Sequence, residues 1–94
     1  MRASPITIAE LVQSGLINHN ELIIMNHREY SPTEATIRRD GAIILSSGRV
    51  CRTPTEAAKH GAGLRSVDGW IRWRVPRLGF TRLADLRREL AARE

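Results

Sequence analysis

Between Glu21 and Arg52 the chain is cut into short apolar runs by two tight-turn dipeptides, and this constrains the fold more than any other stretch. ELIIM, residues 21–25, is apolar and rich in β-branched side chains. A second candidate strand lies near Glu34 to Arg38, beyond Tyr30 and Pro32. Proline cannot donate to a sheet ladder, so Pro32 suits a strand start or a sheet edge. Asp40-Gly41 is a strong two-residue hairpin signal, because such turns need residues that tolerate positive φ. AIIL follows it directly, and Ser47-Gly48 then turns the chain into RVCR. Runs joined this closely pair antiparallel. The expectation is a small antiparallel meander.

Helical signals flank it. Thr7 with Glu10 three residues later has capping-box spacing, Ile8, Leu11 and Val12 follow as an apolar stripe, and Gly15 suits a helix stop. Leu16 and Ile17 would fold back onto the stripe. Thr53-Pro54-Thr55-Glu56 is the clearest helix start: Thr53 can cap, Pro54 suits the first helical position, and Glu56 completes a box. That helix is short, and Gly61 and Gly63 end it; its alanines permit close approach to a sheet. Asp68-Gly69 reads as a turn, WIRWRV as the last strand, and Pro76 as its end. Thr81 is placed to cap a final helix carrying Leu83, Leu86 and Leu90 on one face, with Arg82, Arg87 and Arg88 largely away from it. The class is α+β: a small antiparallel sheet with an N-terminal helix, a short helix before the last strand, and a C-terminal helix. With 94 residues the chain is one small domain, residues 6–94, behind a flexible lead-in of residues 1–5.

Composition narrows the function classes. No run approaches the roughly 20 apolar residues of a membrane span. The N-terminus meets acidic and polar residues too early for a signal peptide. A single cysteine, Cys51, cannot form an internal disulfide, so a reducing cytoplasm is the expected location. The net charge of +5 is unevenly spread. Residues 38–77 carry eight arginines and Lys59 against Asp40, Glu56 and Asp68, a net of +6. A clustered basic excess suits a polyanionic partner.

Catalytic constellations are poor. His19, His27 and His60 are dispersed, and no Cys–His spacing matches a zinc site. Cys51 reads as a small buried residue of a strand. HGAGLRS, residues 60–66, lacks the phosphate-loop pattern. No enzyme activity, metal or cofactor is expected.

The tryptophans are the most informative side chains. Two of the four aromatic residues stand at Trp70 and Trp73, between arginines. If residues 70–75 form one strand, Ile71, Trp73 and Val75 share an apolar face and Trp70, Arg72 and Arg74 share the other. Trp73 would be core. Trp70 would either offer an aromatic plane beside guanidinium groups, which can stack a base and meet phosphate, or pack under a neighbouring helix with arginine stems covering it.

RVCRTPTEAAKHGAGLRSVDGWIRWRV, residues 49–75, resembles the RAMA domain, the restriction enzyme and adenine methylase associated domain. The family pattern joins a Thr/Ser-Pro helix start followed by paired alanines to a Ser-x-Asn-Gly-Trp-x-x-Trp segment. Thr53, Pro54, Thr55, Ala57 and Ala58 match the first part; Ser66, Gly69, Trp70 and Trp73 match the second. The opening helix, the hairpin and the closing helix are also similar, so the resemblance covers about residues 6–90. Asp68 replaces the usual Asn, and Arg52 and Arg72 stand where aromatics are common.

The resemblance implies a DNA-associated module, in some members a reader of N6-methyladenine. Without an attached catalytic domain, this one would be a free-standing version of regulatory or phage or mobile-element accessory type. The resulting expectation is a cytoplasmic, nucleoid-associated, non-enzymatic DNA-binding module. Lys59, Arg65, Arg72, Arg74 and Arg77 would meet phosphates, and Ser66, Asp68 and Trp70 would lie at the base-reading surface. The competing reading is a protein-interaction module, an inhibitor or adaptor, since exposed Trp and Arg are also enriched at protein interfaces. RNA binding and an accessory role beside a methyltransferase are further readings that these residues allow.

Overall fold

The computed structural model describes residues 5–27 and 31–94. The expected lead-in at residues 1–4 and Tyr30 lie outside them. Elements follow one another as α1 (Ile8–Gln13), β1 (Glu21–Met25), β2 (Thr33–Ile37), β3 (Ile43–Leu45), β4 (Val50–Cys51), α2 (Pro54–Ala62), α3 (Gly69–Arg72), β5 (Arg74–Val75), a 3-10 turn (Pro76–Leu78), β6 (Thr81–Arg82) and α4 (Leu83–Arg93). The strands form one antiparallel sheet in the order β4-β3-β2-β1-β5-β6. The α+β class and the meander of β1 to β4 are those read from the turn dipeptides.

Alternation along the strands sets the two faces. Ile23 and Met25, Ala35 and Ile37, Ile43 and Leu45, Cys51 and Val75 are buried on one face, where α1, α2 and α4 supply Leu11, Ala57, Ala58, Leu83 and Leu86. Leu22, Ile24, Thr36, Ile44 and Val50 occupy the other face, which no helix covers among the described residues. No helix among these residues is long and apolar enough to cross a membrane.

Both expected caps of the first two helices form. Thr7 and Glu10 make a reciprocal capping box on α1. On α2, Thr53 Oγ1 accepts from Glu56 N–H at 3.1 Å, while the Glu56 carboxylate accepts from Arg52 N–H at 3.0 Å, one residue earlier than the usual box partner. The helix runs through Gly61 and stops at Gly63, whose φ of 68° is left-handed.

Two expectations are corrected. Residues 70–75 are not one strand. Asp68 caps a single helical turn, α3, by accepting from Trp70 N–H at 3.0 Å, and extended structure begins only at Arg74. Ile71 consequently points out and is 48% exposed, although strand alternation would have buried it with Trp73. Thr81 also does not cap α4. It pairs with Val75 in β6, and the helix starts from Arg82 without a side-chain cap.

The cause of the first correction is a lock between the starts of α2 and α3. The fully buried Trp73 donates its indole N–H to the carbonyl of Pro54 at 3.0 Å. Gly69 N–H donates to Thr55 Oγ1 at 3.1 Å. Gly69 lies so close to the Pro54 peptide that a Cβ there would sit 2.1 Å from its carbonyl oxygen. A strand through Trp70 could not meet all three conditions; one helical turn does.

Gly69→Ala should therefore be strongly destabilising, beyond the usual ~0.5–3 kcal/mol of a point substitution. Trp73→Phe keeps an aromatic ring but removes the indole bond to the Pro54 carbonyl and leaves part of the buried indole volume empty, and should cost about 1–3 kcal/mol. Urea unfolding monitored by circular dichroism measures both. A near-neutral Gly69→Ala would contradict the lock.

Candidate nucleic-acid interface

The lock determines where Trp70 goes. With α3 helical, Trp70 is half-buried and faces α4. The guanidinium of Arg87 lies over its ring, 3.5 Å from the centroid, in a cation–π contact. Arg87 Nε also donates to the carbonyl of Ile6 at 3.0 Å, which ties α4 to the segment before α1. Burial depresses the basicity of Arg87, and the negative charge of Asp68 opposes that shift. Trp70 and Arg87 help wall a cavity of about 280 Å³, with Ile6, Ile8, Arg52 and Pro54 around them. The volume is near the lower end of small-molecule sites, which begin at ~300 Å³. The aromatic plane beside a guanidinium is thus present, but the guanidinium comes from α4 and not from Arg72 or Arg74.

The other expected site residues divide into groups. Lys59 is exposed on α2, Arg65 and Ser66 are exposed in the α2–α3 connection, and Arg72 is exposed at the end of α3. These lie along the same α2–α3 unit as Trp70. Asp68 is exposed and holds the N-terminus of α3, a job that Asn or Asp does equally well. Arg74 stands elsewhere, on the uncovered sheet face in register with Ile24, and donates to the carbonyl of Phe80 at 3.0 Å. It shares no strand face with Arg72. Arg77 is held by Glu21 through three contacts of 2.7–3.1 Å and donates to the Leu16 carbonyl.

Arg52 and Arg87 line the cavity although neither is among the expected nucleic-acid-binding residues, and Arg87, expected away from the packed face of α4, covers Trp70. Arg52 directly precedes the Thr53 cap, which is a usable local signal. Arg87 borders the leucine stripe of α4 beside Leu86, where a long side chain can cover a neighbouring aromatic.

Ion pairing separates the arginines further. Arg38 pairs with Asp40, Arg77 with Glu21, Arg82 and Arg88 with Asp85, and Arg93 with Glu89. Arg82 and Arg88 hold the Asp85 carboxyl down at about 2. Among the described residues, Arg39, Arg49, Arg52, Lys59, Arg65, Arg72 and Arg74 have no carboxylate partner. Four of these, Arg52, Lys59, Arg65 and Arg72, lie on or beside the α2–α3 unit.

Cys51 is buried, and burial, reinforced by the charge of Glu56 and opposed by Arg49, pushes its thiol up and away from the nucleophilic form. No three of the described His, Cys, Asp and Glu residues form a group that could hold a metal. His19 Nδ1 accepts from the Arg39 backbone N–H.

A family model described as Restriction Enzyme Adenine Methylase Associated, RAMA, matches residues 1–94. No curated protein matches the chain.

The Glu21–Arg77 pair yields a pH test. Burial alone would raise the Glu21 carboxyl, but the hydrogen bonds from Arg77 and from Asn18 N–H, with the charge of Arg77, bring it below its ordinary value of 4.5. The folded state therefore gains stability above that value, and loses it as pH falls through the depressed folded value. Glu21→Gln should be less stable than the parent at pH 7, and the difference should shrink as pH drops below about 4.5. Parallel urea midpoints from pH 7 to 3 would contradict the pairing.

Proposed function

The chain belongs to the Restriction Enzyme Adenine Methylase Associated family, and on that premise we propose that it is a non-enzymatic, cytoplasmic DNA-binding module. The family description links it to restriction enzymes and adenine methylases. The observation that carries the DNA reading is the split among the cations. Of the nine described arginines outside the α2–α3 unit, five are paired and share four carboxylates, whereas Arg52, Lys59, Arg65 and Arg72 on the unit form no ion pair among the described residues. Unneutralised cations gathered on one unit gain most from meeting phosphates, because binding releases the counterions condensed on DNA.

In this reading phosphates are held by Arg52, Lys59, Arg65 and Arg72, and Ser66 adds a neutral hydrogen bond. Phosphate contacts position the duplex without carrying sequence information. Base discrimination falls to the cavity beside Trp70. A base of this size reaches it only when taken out of the stack. Ile6, Ile8 and Pro54 give the cavity an apolar lining that suits a methyl group on the adenine amine, and this supports N6-methyladenine as the preferred base.

The test is binding of the purified protein to matched duplexes with and without N6-methyladenine, over a salt series. Binding should be measurable at ~50 mM salt and weaken steeply above it. Arg65→Gln and Arg72→Gln should each lower the log–log salt slope by about 1, while Arg38→Gln, whose parent side chain is already paired, leaves it unchanged. Trp70→Ala should remove the preference for the methylated duplex and leave the salt slope intact. Absence of binding at ~50 mM salt overturns the DNA reading. Equal slopes for all variants overturn the placement of its surface.

A further inference from the structure

An antiparallel sheet with one face packed usually shows polar residues on the other. Here the uncovered face is largely apolar. Its central row runs Leu22, Thr36, Ile44, Val50, each in direct register with the next. Leu22 is 41% and Val50 45% exposed, and they account for two of the four large hydrophobic residues exposed among the described ones. Contiguous exposed apolar surface of this kind marks an interaction site.

The neighbouring row identifies the occupant. Ile24 is in register with Glu34 on one side and with Arg74 on the other. Glu34 and Arg74 therefore share the uncovered face with β1 between them. Two strand spacings, ~10 Å, keep them from pairing within one chain. Neither has an ionic partner among the described residues.

A two-fold axis parallel to β1, in the plane between two stacked sheets, exchanges the strands on either side of β1. It lays β2 of one copy over β5 of the other. Glu34 then faces the second copy's Arg74, and this contact occurs twice. Leu22 and Ile24 face their own counterparts on the axis. Isologous contacts need this kind of self-complementarity, and sheets stack face to face at ~10 Å with nearly aligned strands.

We infer that the uncovered sheet face is a homodimer interface, built on Leu22 and Ile24 and keyed by reciprocal Glu34–Arg74 ion pairs. The inference does not depend on the DNA reading, because the face lies across the sheet from α2. It also gives Arg74 a role apart from phosphate.

Sedimentation equilibrium of the intact chain over roughly 5–500 µM tests it, since self-association follows mass action. The parent should show a concentration-dependent dimer. Leu22→Glu, at an exposed position, should be monomeric while keeping its circular dichroism spectrum. Glu34→Arg and Arg74→Glu should each weaken association by at least about tenfold, because each turns both reciprocal contacts into like-charge pairs. The double exchange should restore it, because swapping both members recreates both contacts. A chain that is monomeric throughout overturns the inference, whatever other partner the face accepts. So does a dimer that Leu22→Glu leaves intact, or a double exchange as weak as the single variants.

Discussion

A buried indole N–H must find an acceptor, and for Trp73 that acceptor is the carbonyl of Pro54. The remaining architecture depends on this bond. It ties the end of α3 to the start of α2, as Gly69 N–H on Thr55 ties its beginning, and Gly69 is the residue that permits the approach. It sends the chain into β5 at the register that pairs Arg74 with Ile24 and adds a second hairpin to the far side of the meander. It also turns Trp70 toward α4, where Arg87 covers the ring. Of the nine residues that match the family pattern, Pro54, Thr55, Gly69 and Trp73 form this lock, and Thr53 caps the helix it holds. They act first as structure, and the candidate site is its consequence.

Charge distribution follows a related logic. Carboxylates lie where arginines need restraint: Glu21 at the end of β1 fixes Arg77, and Asp85 gathers Arg82 and Arg88 at the start of α4. The Asp85 pairs are worth little as surface salt bridges, whereas Glu21 is buried and depends on its Arg77 contacts. Together the ion pairs cancel part of the positive field outside α2 and α3 and leave Arg39, Arg49, Arg74 and Arg87 there, and Arg52, Lys59, Arg65 and Arg72 on the unit, as described cations without an ion pair. A field of that kind raises encounter rates with a polyanion and falls away with salt. The sheet's two faces differ as well: one is packed by the helices, and the other presents Leu22, Ile24, Ile44 and Val50 with Glu34 and Arg74.

What could be read from the sequence was local. Asp40-Gly41 and Ser47-Gly48 specify hairpins through backbone conformation alone, and Thr7 and Thr53 specify helix starts through their own side chains. The tryptophan segment misled because its apolar residues at 71, 73 and 75 alternate as in a strand. A helix of one turn is too short to display its own period, and it forms here through contacts with Pro54 and Thr55, far away in sequence. Trp73 is core under either reading, so its burial was legible even though its element was not. Thr81 offered a valid cap, but the need of β5 for a strand partner prevailed. Arg87 over Trp70, and Glu21 on Arg77, are tertiary contacts that no local pattern announces.

The two indole N–H groups provide the most direct test of the central claim that a lock places a nucleic-acid surface on the α2–α3 unit. They give separate signals in a proton–nitrogen correlation spectrum titrated with duplex DNA. The account predicts that the Trp70 indole shifts, together with the amides of Arg52, Lys59, Arg65 and Arg72. The Trp73 indole, held on Pro54, should stay in place, and so should the amides of Leu22, Ile44 and Val50. Shifts centred on the uncovered sheet face, with Trp70 silent, would contradict it.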